Sequence, residues 1–418
     1  MPTIRPTKYA EESVRPSVLN ESGEGLAAHL SIEDDHCKFL YQSATTTVEN
    51  QIKRKLSQQE PWGSIAATHF RVIYAKFSGS KPDYLAMFDA QKNLVSTYND
   101  WLRSDSTAWS LPVMYVISHD LRQFAIHADR ELEARGEKIG KLAETARLIQ
   151  TSFGICCIDR SSSKETKKVG VLYMASLLFK IYFKLNSTAL CKNVIRGVEN
   201  ADLSMGLYIP MSHRVTYRYY MGVLSFLQED YDKAEDHLSF AFNHCHRDQL
   251  RNRELILNYL IPIRLLKGKR PVNVLLERSV RLHHLYSTFI EAVKTGNIEL
   301  FDRHMAKVEK QLLTRGTYLV AERCRDICLC NLVKLIYRLK SENHQIPLQA
   351  FEKVAHNDFL VDASLPTADF QADKIEEVEC VLANLIAQDR VRGYIHHEAK
   401  MLVLSKRDPF PVQVTILK

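Results

Sequence analysis

Long apolar runs are missing from this 418-residue chain: none reaches the roughly 20 residues needed to span a bilayer. The opening MPTIRPTKYAEESVRP lacks the apolar block of a secretory signal. Glycine and proline are sparse, at 15 and 13, which disfavours a turn-rich sheet protein. Cysteine occurs nine times, an odd number without framework spacing, so the expectation is a reduced, intracellular protein. No glycine-rich phosphate cradle, nucleophile elbow or positioned triad is visible, and these absences argue against an enzyme. Cys324, Cys328 and Cys330 do not make a metal spacing, because the third points away from the helical face shared by the first two. His283-His284 and His244-Cys245-His246 are adjacent rather than convergent. We therefore expect no cofactor and no metal.

What the chain has is helical periodicity. The stretch 213–247 carries Tyr217, Tyr220, Met221 and Leu224 at three- and four-residue steps. A break at Glu229-Asp230-Tyr231 follows, with Asp230 placed to cap a second helix lined by Ala234, Leu238, Ala241 and Phe242. Gly222, Ala234 and Ala241 fit the small-residue spacing of a tetratricopeptide-like pair, which cannot bury its own apolar face and needs neighbours. Similar patterns predict helices over 35–57, 64–78, 84–103, 112–135, 142–157, 171–185, 188–198, 253–266, 286–294, 298–313 and 318–340. Pro262 is expected to bend or end its helix. Residues 158–169, with three serines and several lysines, read as a loop, hinge or basic phosphate contact, and 272–278 as a short helix. Near the C-terminus the pattern predicts helices over 346–355, with Pro347 in the first turn, and from Asp373, capped by Asp373 with Glu376. The period then changes to two after Arg390: a strand through Val391, Gly393 and Ile395, a turn, and a returning strand 401–404. Two helices and a β-hairpin make a winged helix. The expected architecture is an all-α helical repeat ending in a winged-helix module, divided into a flexible tail (1–30), N-terminal repeats (31–157), a main repeat region (170–340) and the winged helix (341–411).

Charge is unevenly spread. The chain carries a net +7, yet residues 251–340 alone hold 18 Lys/Arg against 8 Asp/Glu. Such a surplus suits a polyanion or an acidic partner, or else is a solvated face. Lys267, Lys269 and Arg270 sit on a tight turn from which long side chains can meet phosphates. Arg392, His396, His397 and Lys400 crowd the hairpin, followed by Lys406 and Arg407, and a wing so charged can lie along a backbone. The helix before it begins with Glu376, Glu377 and Glu379, which disfavours base reading there. Arg251 and Arg253 are candidates to line a groove for an acidic partner segment.

Several blocks carry a family resemblance: FKIYFKLN (179–186), HRVTYRYYMGVL (213–224), AEDHLSFAFNHCHR (234–247), LILNYLIPIRLLKGKRP (255–271) and VECVLANLIAQDRVRGYIHHEAKMLVLSKRDPFP (378–411). Across roughly 170–411 the chain resembles the PCI-domain family. Within it, the likeness is to the branch of the nuclear mRNA-export complex (transcription-and-export complex 2) and its COP9 signalosome-associated paralogue. The resemblance implies a non-enzymatic scaffold that pairs with a larger PCI-like protein and binds a small, acidic, disordered subunit shared with the proteasome lid. The resulting composite surface is expected to bind RNA, with DNA as a second ligand. The implied location is the nucleus, with the cytoplasm second, and no membrane. The paralogue's role in transcription-coupled processing or splicing, and a purely protein–protein adaptor, are the alternatives.

Overall fold

A computed structural model describes residues 6–33, 36–43, 47–105, 107–161, 166–203, 208–269, 276, 279–354 and 373–411. The chain divides into two compact units, Met1–Tyr220 and Met221–Lys418. The division falls within one helix, Met211–Leu227.

In the first unit, helices pack against their successors in chain order: Trp62–Phe77, Tyr84–Ser104, Leu111–Ala134, Lys141–Ile158 and Val171–Lys184. Their apolar positions recur at helical spacing, so each helix buries one face against the next. All three tryptophans meet in this unit. Trp62 lies 4.7 Å from Trp101 and 5.4 Å from Trp109, ring centre to ring centre. From residue 6 onward the expected loose tail is instead built in. Helical segments cover Pro6–Leu19 and Gly23–His29, and Tyr9, Ala10, Val14, Leu26 and Leu30 are buried. Their apolar residues are too widely spaced to announce a helix, and tertiary burial supplies what local pattern lacks.

Residues 159–170 fall within the first unit. Asp159 accepts hydrogen bonds from the Thr166 hydroxyl and the Lys167 backbone N–H, setting up a short 3-10 turn, Lys167–Gly170. Lys167 is buried, and its ammonium donates to the carbonyls of Leu102 (2.7 Å) and Asp105. This lysine is an internal clamp rather than a phosphate contact.

The predicted pair is Met211–Leu227, whose last turns open the second unit, and Tyr231–His244. Asp230 accepts from the Lys233 N–H (3.2 Å) and caps Tyr231–His244. A Cβ on Gly222 would lie 2.6 Å from Cγ of buried Leu238, so only glycine allows this approach. Leu250–Leu266 then runs through Pro262 as one helix, so the proline does not end it. Proline removes the N–H that would bond the Asn258 carbonyl. The hydroxyl of buried Tyr286 donates to that carbonyl instead (2.9 Å). Helices Val280–Thr295, Ile298–Arg315 and Tyr318–Leu339 pack together, and the last also packs on Leu250–Leu266. Of the helix predicted over 272–278, only Leu276 lies among the described residues.

The winged helix follows, with one correction. Gln345–Pro347 is a strand, not the first turn of a helix, and the helix begins later, at Gln349–Val354. The sheet therefore has three antiparallel strands in the order Gln345–Pro347, Met401–Leu404, Gly393–His396. Ile346 pairs with Leu402, and Ile395 pairs with Leu402 on the other side. Pro347 is tolerated because its strand lies at the sheet edge. Leu329, Leu332, Val333, Phe351, Val378, Leu382 and Leu385, from Tyr318–Leu339, Gln349–Val354 and Asp373–Ala387, line a small cavity.

Candidate nucleic-acid interface

The Lys267–Lys269 turn ends Leu250–Leu266, with Gly268 at φ +70° and the Lys269 N–H bonded to the Arg264 carbonyl. Its two lysines are engaged inward. Lys267 reaches Asp232 (2.5 Å) and Glu235 (2.8 Å), Lys269 reaches Glu235 (3.0 Å), and Arg264 Nε lies 3.5 Å from the same carboxylate. Burial alone would raise the Glu235 carboxyl. The hydrogen bonds from Lys267 and Lys269 outweigh it and hold Glu235 below its usual value. This buckle ties Tyr231–His244 to the end of Leu250–Leu266. Arg270 lies outside the described residues.

On the wing the basic residues fall into two groups. Arg392 grips Asp389 through Nε (2.9 Å) and Nη2 (3.1 Å) and reaches Asp408 through Nη1 (2.8 Å). The hydrogen bond to Asp389 raises the Arg392 guanidinium and lowers the Asp389 carboxyl. With its backbone bonds to Pro409 and Ser405, Arg392 fastens the segment after the sheet to the strand before it. His397 lies 2.8 Å from Glu379, so it faces the preceding helix. His396 accepts from the Ala399 N–H within the turn. Lys400, in the left-handed region at φ +50°, is exposed, as are Lys406 and Arg407. Their side chains meet no carboxylate among the described residues.

Tyr394 was not among the residues singled out by sequence. It is 59 % exposed, on Gly393–His396, one strand position from the buried-side Ile395. Alternation puts Tyr394 and His396 on one outward face. The period-two pattern carried this signal, but which face meets solvent depends on the register with Met401–Leu404. That register is enforced by Gly393, where a Cβ would lie 2.3 Å from the Val403 carbonyl oxygen.

The two proposed partner residues also differ. Arg253 donates to the carbonyls of Phe242 (3.3 Å) and Cys245 (3.2 Å) and lies over the Phe242 ring, closing the end of Tyr231–His244. Arg251 is exposed. The C-terminal cysteines bond to separate backbone carbonyls: Cys324 to Val320, Cys328 to Ala292 and Cys330 to Arg390. Burial pushes the Cys324 thiol up to about 12.

A helical repeat that runs into a three-stranded winged helix is the arrangement of PCI-domain scaffolds, and the PCI domain matches residues 305–406. Over most of its length the chain is similar to PCI domain-containing protein 2 of Danio rerio, 35% identical over 357 residues, covering 84% of this chain and 85% of the relative. It is 33% identical over 380 residues to the protein CSN12 homolog of Neurospora crassa, covering 84% of each. It is also 33% identical over 364 residues to enhanced ethylene response protein 5 of Arabidopsis thaliana, covering 86% of this chain and 83% of the relative. The chain belongs to this PCI-domain family, whose members are in general non-catalytic scaffolds. No helix among the described residues is long and apolar enough to cross a membrane.

Proposed function

We propose that this chain is a non-enzymatic scaffold subunit of a nuclear mRNA-export assembly, pairing with a larger PCI-like protein and a small acidic subunit and binding RNA across the composite surface. The observation that carries the RNA contact is the wing, where Lys400, Lys406 and Arg407 are exposed without a carboxylate partner among the described residues and Tyr394 and His396 share an outward strand face. Cations attract the phosphates, and an exposed ring offers a stacking platform that tolerates any base. DNA has the same phosphates and rings to offer, so it is the secondary ligand. Arg251, exposed at the start of Leu250–Leu266, is the charge left to meet the acidic subunit.

The names of several relatives, CSN12 homologs, support a second reading, in which the chain acts beside the signalosome in transcription-coupled processing or splicing. The two readings divide on the scaffold that co-purifies from nuclear extract. A larger PCI-like partner of the export complex supports the first; signalosome subunits in its place support the second. RNA binding is tested on the purified complex with Lys400→Glu/Lys406→Glu/Arg407→Glu. We expect weaker binding with intact subunit assembly. Unchanged affinity removes the wing from the site and leaves the protein–protein adaptor.

A further inference from the structure

We propose that His36, Cys37 and His69, in the first unit, form a three-ligand site for a zinc-class ion. One ligand atom from each lies within 4.8 Å of the others. His36 Nε2 and Cys37 Sγ are 3.6 Å apart. Nitrogen and sulfur held tetrahedrally at zinc distances sit about 3.5 Å apart, so this edge already has a metal site's dimension.

A second observation points into the same place. His69 stands inside Trp62–Phe77 and is 1% exposed, and its Nε2 is buried without a hydrogen-bond partner among the described residues. A buried imidazole nitrogen left unsatisfied is costly, and a metal ion would satisfy it. Histidine binds metal through the neutral imidazole. The Lys76 ammonium donates to the Ile32 carbonyl (2.7 Å).

The surroundings hold the other two ligands. Tyr9 stacks on His36 at 6.0 Å, and the His29 carbonyl lies 3.0 Å from His36 Nε2. This is the nitrogen that faces Cys37 Sγ, so on metal binding Nε2 exchanges the carbonyl for the ion and the ring keeps its proton on Nδ1. The Cys37 thiol now donates to the Ser31 carbonyl (3.3 Å). On binding, that S–H···O bond gives way to a metal–sulfur bond, and the thiol proton leaves to solvent. Two imidazoles and a thiolate suit zinc and exclude the oxygen-seeking magnesium and calcium. Half-buried His36 leaves an open fourth position and a path of entry. The ion would clip the His36–Gln42 segment to Trp62–Phe77, which already pack together.

The test uses the reduced full-length chain, stripped of metal by a chelator and titrated with zinc against a chromophoric competitor, and separately with cobalt. We expect one tight equivalent of zinc, a rise in Tm on its addition, and a thiolate-to-cobalt charge-transfer band. Cys37→Ser abolishes the band, and His36→Gln, at a half-buried ring, weakens zinc binding at least about tenfold. Cys330→Ser, at a buried cysteine far along the chain, retains both signals. Absence of a tight equivalent in the wild type, or an unchanged cobalt spectrum in Cys37→Ser, overturns the site.

Discussion

At the scale of single residues, the Glu235 buckle and the open wing assign different work to similar side chains. Lys267 and Lys269 are held by a carboxylate, so their substitution should act on stability. Lys269→Glu places two carboxylates together and should lower Tm in thermal unfolding while leaving the RNA affinity of the folded complex nearly unchanged. Glu235→Gln should cost about 1–3 kcal/mol, because a half-buried cationic cluster loses its anion. The pH dependence has a definite sign. The Glu235 carboxyl is lowered in the folded state, so its contribution is full above the ordinary carboxylate pKa and is lost as pH falls through the depressed value. The Tm gap between wild type and Glu235→Gln should therefore be widest near neutrality and close in acid. On the wing, Tyr394→Ala should weaken RNA binding by about 1–3 kcal/mol if the ring stacks a base, without moving Tm. Filter binding and thermal scans on the same preparations separate the two outcomes.

At the scale of elements, Leu250–Leu266 shows how a local rule is overridden by a distant partner. Pro262 ought to disrupt the helix, and Tyr286 takes over the stranded Asn258 carbonyl from another helix. Tyr286→Phe should cost about 1–3 kcal/mol, the price of a buried unpaired carbonyl. In a Pro262→Ala background, alanine restores the N–H and the same substitution should cost less. A denaturant-melt double-mutant cycle measures the difference. This also marks the boundary of what the sequence could tell. Helices with unbroken apolar spacing, the Asp230 cap and the return to period two were legible because each is a property of neighbouring residues. The partner of Lys267 lies 32 residues back at Glu235, and the partner of Tyr286 lies 28 residues back at Asn258. Spacing carries no signal for such pairs. The strand Gln345–Pro347 was hidden for the same reason, since its pairing partner is Met401–Leu404. His36, Cys37 and His69 likewise share no motif in the chain; packing alone brings them together.

At the scale of the whole molecule, the basic surplus of 251–340 is smaller on the surface than in the sequence. Arg264, Lys267 and Lys269 meet Glu235 and Arg323 meets Glu229, two acids outside that stretch. Charges already neutralised release few counterions when a nucleic acid arrives. If Lys400, Lys406 and Arg407 carry the contact, this chain should contribute a slope of only about 2 to the logarithmic salt dependence of single-strand binding. Comparing the complex with and without the triple wing substitution measures that share directly.

The central strand of the sheet, Met401–Leu404, follows both of its neighbours in the chain. During synthesis, neither Gln345–Pro347 nor Gly393–His396 has a partner until this strand leaves the ribosome. A nonsense or frameshift allele that stops before Met401 would therefore leave two strands without the neighbour that both pair with. Such a product would present quality-control proteases with an unfinished sheet, so the allele should behave as a loss of protein rather than as a shortened subunit.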